Sequence, residues 1–171
     1  MMPQIKRILY TTDLSPNSGY LLRYALYSAK KHGAKLVVLH VFEALSPTTM
    51  ALSMAYLDAE NTLSVSEEKA AYAKKRILKR LQTVCDKELN SDVEAEGIID
   101  SIEVVQGYPA DEILEKADEL NCDVIFMGTH GKGFLKHAYF GSTSKKVLRR
   151  TRKPVFIVPL PVGDTDITIH D

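Results

Sequence analysis

The chain has 171 residues, 45% of them hydrophobic and 26% charged, with a formal net charge of zero. That length suits one domain with a sizeable core. The charge balance offers no basic field for a nucleic-acid backbone, and no apolar run approaches the roughly 20 residues of a membrane span.

Cys85 and Cys122 lack C-x-x-C spacing, and no histidine stands where it would complete a zinc site. They read as reduced thiols packed in a cytoplasmic protein. The opening "MMPQIKRILYTTDL" has an apolar run too short for a signal peptide.

Strand and helix patterns alternate along the chain. "IKRILYTT" (5–12) reads as a strand followed by the turn "DLSPNS". Pro16 fits a first helical position with Ser15 as the cap before it. Leu21, Leu22, Ala25, Leu26 and Ala29 share one helical face, and Gly33 suits the stop. "AKLVVLHVF" (34–42) is apolar enough for a strand covered on both faces. Residues 44–66 show no clean period and lead into a long helix, to about residue 89, striped by Ala70, Ala73, Ile77, Leu81, Val84 and Cys85. "GIIDSIEVVQG" (97–107) alternates in part, as a less buried strand does. A helix over Pro109–Leu120 turns Ala110, Ile113, Leu114 and Ala117 inward.

"CDVIFMG" (122–128) is another buried strand, and Ser142 to Arg150 is a helix with Val147 and Leu148 on its buried side. "PVFIVP" (154–159) carries proline at both ends, which suits an edge strand. Five strands and four helical segments in alternation imply a three-layer α/β/α domain over residues 1–160 with a mainly parallel sheet. Residues 161–171 read as a tail, either a loose terminus or a partner-binding arm. Right-handed crossovers align the strands' carboxyl ends along one rim, where ligands of such sheets bind.

Glycines gather at that rim. Gly128 ends the fourth strand, Gly131 and Gly133 follow, and Gly141-Ser142-Thr143 open the last helix. A helix start leaves amides unpaired and partly positive, glycine admits a bulky group to the main chain, and hydroxyls add donors. Phosphate fits all three features. Four or five such bonds, less ordering costs, support micromolar affinity, about 8 kcal/mol. The alternative is that these glycines only shape turns. His130, Lys132 and Lys136 add charge to the loop, although loop lysines are commonly solvated. Neither G-x-x-x-x-G-K-[ST] nor G-x-G-x-x-G is present; the spacing is G-x-x-G-x9-G-S.

That pattern, followed by a helix and "KPVFIVP", resembles the ATP-binding branch of the universal stress protein family. "TTDLS", "LVVLHV", "VVQGYPADEIL" and "CDVIFMGTHG" are similar to further segments of the family in order, so the resemblance spans about residues 3–160. It implies an adenine nucleotide alpha hydrolase-like, Rossmann-like fold of strand order 3-2-1-4-5, with an adenine nucleotide (ATP, ADP or AMP) between strands 1 and 4. Thr12 and Asp13 would lie at the adenine and ribose side, Val41 would meet the adenine edge through its backbone, and Gly107 would border the ribose. Met127 and Gly128 would floor the pocket. His130, Gly131, Gly141, Ser142 and Thr143 would hold the phosphates, with Mg²⁺ or Mn²⁺ on the phosphate oxygens. The resemblance also implies a homodimer through 154–159, whose alternative is an edge covered by the chain's own tail. Nothing transfers to 44–66, which reads as a lid or a disordered stretch.

Asp13 has a second reading, as a turn and cap former before Ser-Pro. Three functions stay open: an ATP-binding regulatory module read by an unidentified protein partner in stress response, a phosphoryl-transfer or ATP-hydrolysing enzyme, and a dimeric interaction protein with a vestigial pocket. Fast phosphoryl transfer wants a transition-state arginine, whereas Arg149, Arg150 and Arg152 fall at the far end of the last helix. Binding, with at most slow hydrolysis, is better provided for than chemistry.

Overall fold

A computed structural model describes residues 2–43, 59–89, 97–129 and 140–161. In chain order these form β1 (Arg7–Thr12), α1 (Ser18–His32), β2 (Lys35–Phe42), α2 (Ala59–Leu89), β3 (Ile99–Gln106), α3 (Pro109–Glu119), β4 (Val124–Gly128), α4 (Ser142–Arg150) and β5 (Val155–Val158). The strands form one sheet of order β3-β2-β1-β4-β5, every pairing parallel. β5 is an edge, as its flanking prolines predict. Pro154 sits outside the ladder and offers only its carbonyl, to the Ile125 amide at 3.0 Å.

Alternation along each strand divides the core in two. Ile8, Tyr10, Leu36, Val38 and Phe126 face α1 and α2, where Leu22, Ala25, Leu81 and Cys85 meet them. Leu9, Val37, Leu39, Ile125 and Met127 face the other way, against Ala110, Ile113 and Ala117 of α3 and Val147 of α4. All five α1 residues expected on the inner face are buried. Gly33 closes α1 in the left-handed region (φ 62°), with the Ala34 amide returning to Ala29 O at 2.8 Å. β3 is the less buried strand that its partial alternation suggests.

Three local expectations are corrected. α1 begins at Ser18, not near Pro16, and Ser15 caps nothing. The cause lies in the turn: Leu14 takes a left-handed φ of 56°, and the Ser15 amide donates to Asp13 Oδ1 at 3.0 Å. This Asx-type turn uses up the residues that would have formed a first helical turn. Leu148 is 41% exposed, because the buried stripe of α4 runs through Ser144 and Val147 instead. Arg150, although in the last turn of α4, reaches Asp111 in the first turn of α3 as an ion pair. Both partners are exposed, so the pair contributes little to stability.

One buried group went unanticipated. Glu88 of α2 accepts from Arg23 Nε of α1 at 2.6 Å and is almost fully covered. Burial pushes the nearby Cys85 thiol up to about 12 and the Cys122 thiol, on the opposite face of the sheet, up to about 11. A thiolate is the reactive form. At pH 8 a disulfide reagent should therefore leave both thiols unmodified in the folded chain and titrate both after denaturation. Fast reaction in the native state would refute their burial. No helix among the described residues is long and apolar enough to cross a membrane.

Candidate functional site

The carboxyl rim is not uniformly closed. The β1–β2 ladder continues to Thr12↔His40, and the β4–β5 ladder to Gly128↔Val158. The pairing between β1 and β4, by contrast, ends at Tyr10↔Phe126, two residues short of both strand ends. Thr11 Oγ1 takes up the Phe126 carbonyl at 3.2 Å where the ladder lapses. The sheet thus parts at one place, between the strands where the connections change direction and side, and there a doubly wound sheet opens a crevice.

Thr12 and Asp13 stand on one lip. Thr12 is buried; its carbonyl takes His40 Nδ1 at 2.7 Å, and its Oγ1 accepts the Leu14 amide at 3.0 Å. With Asp13 Oδ1 on the Ser15 amide, both predicted side chains shape the β1–α1 turn. The turn-forming reading of Asp13 is therefore realised in the geometry, and it places the carboxylate on the rim. Val41 lies one residue beyond the Thr12↔His40 pair and packs with Val105 over the α3 and α4 face.

Met127 and Gly128 form the other lip. Met127 is buried, and Gly128 ends β4. Gly141 precedes α4 in extended backbone, and its amide donates to Thr129 O at 2.7 Å. That amide is committed within the protein. The first helical bond of α4 runs from the Lys145 amide to Gly141 O at 3.1 Å. The amides of Ser142, Thr143 and Ser144 are left without an intrahelical acceptor, with the positive end of the helix behind them. Ser142 is exposed and Thr143 partly so.

Ser144 is the residue that sequence reasoning missed. It is buried, and its hydroxyl donates to Gly128 O at 3.0 Å, with Thr129 O at 3.3 Å. Its only signal was position on the inward stripe of α4, three residues before Val147. Gly107 lies farther off: its amide donates to Phe42 O at 3.0 Å, and three strand spacings, about 14 Å, separate β3 from β4. A Cβ at Gly107 would collide with Glu112 Oε1, so glycine leaves this carboxylate room against the main chain. His130 and Gly131 lie outside the described residues, as do most of 44–66 and the tail beyond Pro161. Among the described residues no group of three or more His, Cys, Asp or Glu is gathered as a metal site.

A five-stranded parallel sheet of order 3-2-1-4-5, its β1–β4 ladder lapsing beside a helix start, defines a Rossmann-like α/β protein. Residues 4–159 match the Universal stress protein family, and the chain belongs to that family. Among curated relatives it is 33% identical over 153 residues to Universal stress protein YxiE of Bacillus subtilis, covering 89% of this chain and 97% of that one. It is 25% identical over 158 residues to Universal stress protein MJ0577 of Methanocaldococcus jannaschii, covering 92% and 97%. The solved MJ0577 structure superposes with a TM-score of 0.74 at 23% identity, over 94% of this chain and 100% of that one. A universal stress protein solved in complex with cAMP gives 0.60 at 21%, over 93% and 100%.

Proposed function

We propose that this chain is an adenine-nucleotide-binding regulatory module, with the nucleotide in the β1/β4 crevice and its phosphates at the start of α4. The observation that carries this reading is the lapse of the β1–β4 ladder beside three amides without helical acceptors. An anion at that place gains the helix dipole and several charge-assisted bonds. The cAMP complex of a family member of like fold supports a nucleotide as occupant. Thr12, Asp13 and Val41 line the adenine and ribose side, with Gly107 bordering it, and Met127 and Gly128 form the floor. His130, Gly131, Gly141, Ser142 and Thr143 surround the phosphates, Gly141 through its lack of a side chain because its amide is engaged.

Mg²⁺ or Mn²⁺ would ride on the phosphate oxygens, with Asp13 as a rim carboxylate able to accept a metal-bound water. Charge neutralisation is what such an ion supplies. Hydrolysis, if present, is slow. Mass spectrometry of the purified protein should find a retained adenine nucleotide, or calorimetry should give micromolar affinity for ATP with divalent metal. No heat with ATP, ADP or AMP would leave the interaction-protein reading in its place.

The module is a homodimer through β5. Among the described residues no strand pairs with the outer edge of Val155 to Val158, on which Phe156 is 48% exposed, and such an edge invites its symmetry mate. Light scattering should return twice the chain mass of 19.1 kDa. A monomer at roughly 50 µM, where an interface of usual size holds, would contradict it.

A further inference from the structure

Three facts about α4 combine. The Gly141 amide is engaged by Thr129 O at 2.7 Å. The Thr129 amide is engaged by Val158 O at 3.1 Å. The Ser144 hydroxyl, buried with its residue 4% exposed, lies 3.0 Å from Gly128 O and 3.3 Å from Thr129 O. Among the described residues the Ser144 side chain thus ties the end of β4 to α4, and it belongs to the same turn whose amides lack intrahelical acceptors.

We propose that Ser144 is a positioning residue for the phosphates, an inference that rests on the nucleotide reading above. A hydroxyl has one proton and shares it between two carbonyls here. Those carbonyls lie at the end of β4 beside the predicted cradle, and a carbonyl oxygen turned toward a phosphate repels it. Ser144 holds both oxygens toward the protein while its own amide, with those of Ser142 and Thr143, stays available. It acts through Gly128 and Thr129, and only its main chain meets the ligand. An alanine in its place keeps the amide and removes the tie. Gly128 O is then free to rotate toward the anion, while Thr129 O keeps the bond from the Gly141 amide.

The dependence on phosphate separates this role from a plain contribution to stability. Calorimetry with ATP and with adenosine compares the unaltered chain, Ser144→Ala and Ser144→Thr. Ser144→Ala should lose ATP affinity roughly tenfold, because a carbonyl dipole no longer held back opposes the phosphate charge, with adenosine affinity changed less than about twofold. Ser144→Thr keeps the hydroxyl and should restore the ATP-to-adenosine ratio. If that ratio is the same in Ser144→Ala and the unaltered chain, the positioning role is wrong while the nucleotide reading stands. If the unaltered chain binds neither compound, both fall. A second measurement needs no variant: in amide NMR spectra of the unaltered chain, ATP but not adenosine should shift Ser142, Thr143 and Ser144 downfield and leave Gly141 in place. A shift at Gly141 without those three would overturn the arrangement even if Ser144→Ala failed to fold.

Discussion

Ser142→Pro should weaken ATP binding ten- to a hundredfold and leave the fold intact, because it deletes one amide donor together with the hydroxyl and disturbs no helical bond. Proline is favoured at the first position of a helix, where its fixed φ suits the turn and its missing N–H has no helical acceptor. The residue before a proline must be extended, and Gly141 already is, at φ −66° and ψ 162°. The helix therefore tolerates the change, and a thermal melt should show no loss of stability. Only a ligand that uses the Ser142 amide registers it. Ser142→Ala is the control: it keeps the amide, removes the hydroxyl and should lose less. Both affinities come from calorimetry with ATP and divalent metal. If Ser142→Pro binds as tightly as the unaltered chain, the phosphates are not held at the start of α4, whatever else the crevice contains.

Architecture was readable because each element's burial follows from its own residues. "KLVVLHV" reads as a strand covered on both faces, and the 3.6-residue recurrence of Leu22, Ala25 and Ala29 as a helix with one buried face. The misreadings occur where an outcome depends on a partner elsewhere in the chain. Leu148 looked as apolar as Val147, but the inward stripe of α4 was decided by Ser144, whose acceptors lie at the end of β4. Glu88 reads as one more charge on a charged helix until Arg23 of α1 is placed against it. Ser15 and Pro16 carry a helix-start signature that local sequence supports, and the left-handed Leu14 overrides it.

The candidate site shows the same division. Gly128, Gly141 and Ser142 announce themselves by type and spacing, and the fold brings them to one lip of the crevice. Thr12 and Asp13 reach the opposite lip through β1. That the Gly141 amide is engaged, and that donors begin at Ser142, depends on one bond to Thr129 that spacing cannot reveal.

Phe126→Ala should be among the most destabilising single changes, costing about 3–5 kcal/mol and lowering the melting temperature by roughly 10–15 °C. Phe126 is 1% exposed, sits in β4 between β1 and β5, and stacks on Phe156 with ring centroids 4.5 Å apart and planes 9° from parallel. Truncation opens a cavity bounded by two strands and α1 that the sheet cannot close, because its ladders fix the strand spacing. Phe156 is the other half of the stack but stands on the edge strand at 48% exposure. Phe156→Ala in a monomer loses only part of a ring's contacts, about 1 kcal/mol. In a dimer paired through β5 the second ring is covered too, its loss is larger, and the melt becomes dependent on protein concentration. The two variants, melted at low and high concentration, therefore read the same stack from its two sides. A Phe156→Ala penalty that stays small at every concentration would leave β5 as a bare edge, whereas one that approaches the Phe126→Ala penalty as concentration rises locates the partner against Val155 to Val158.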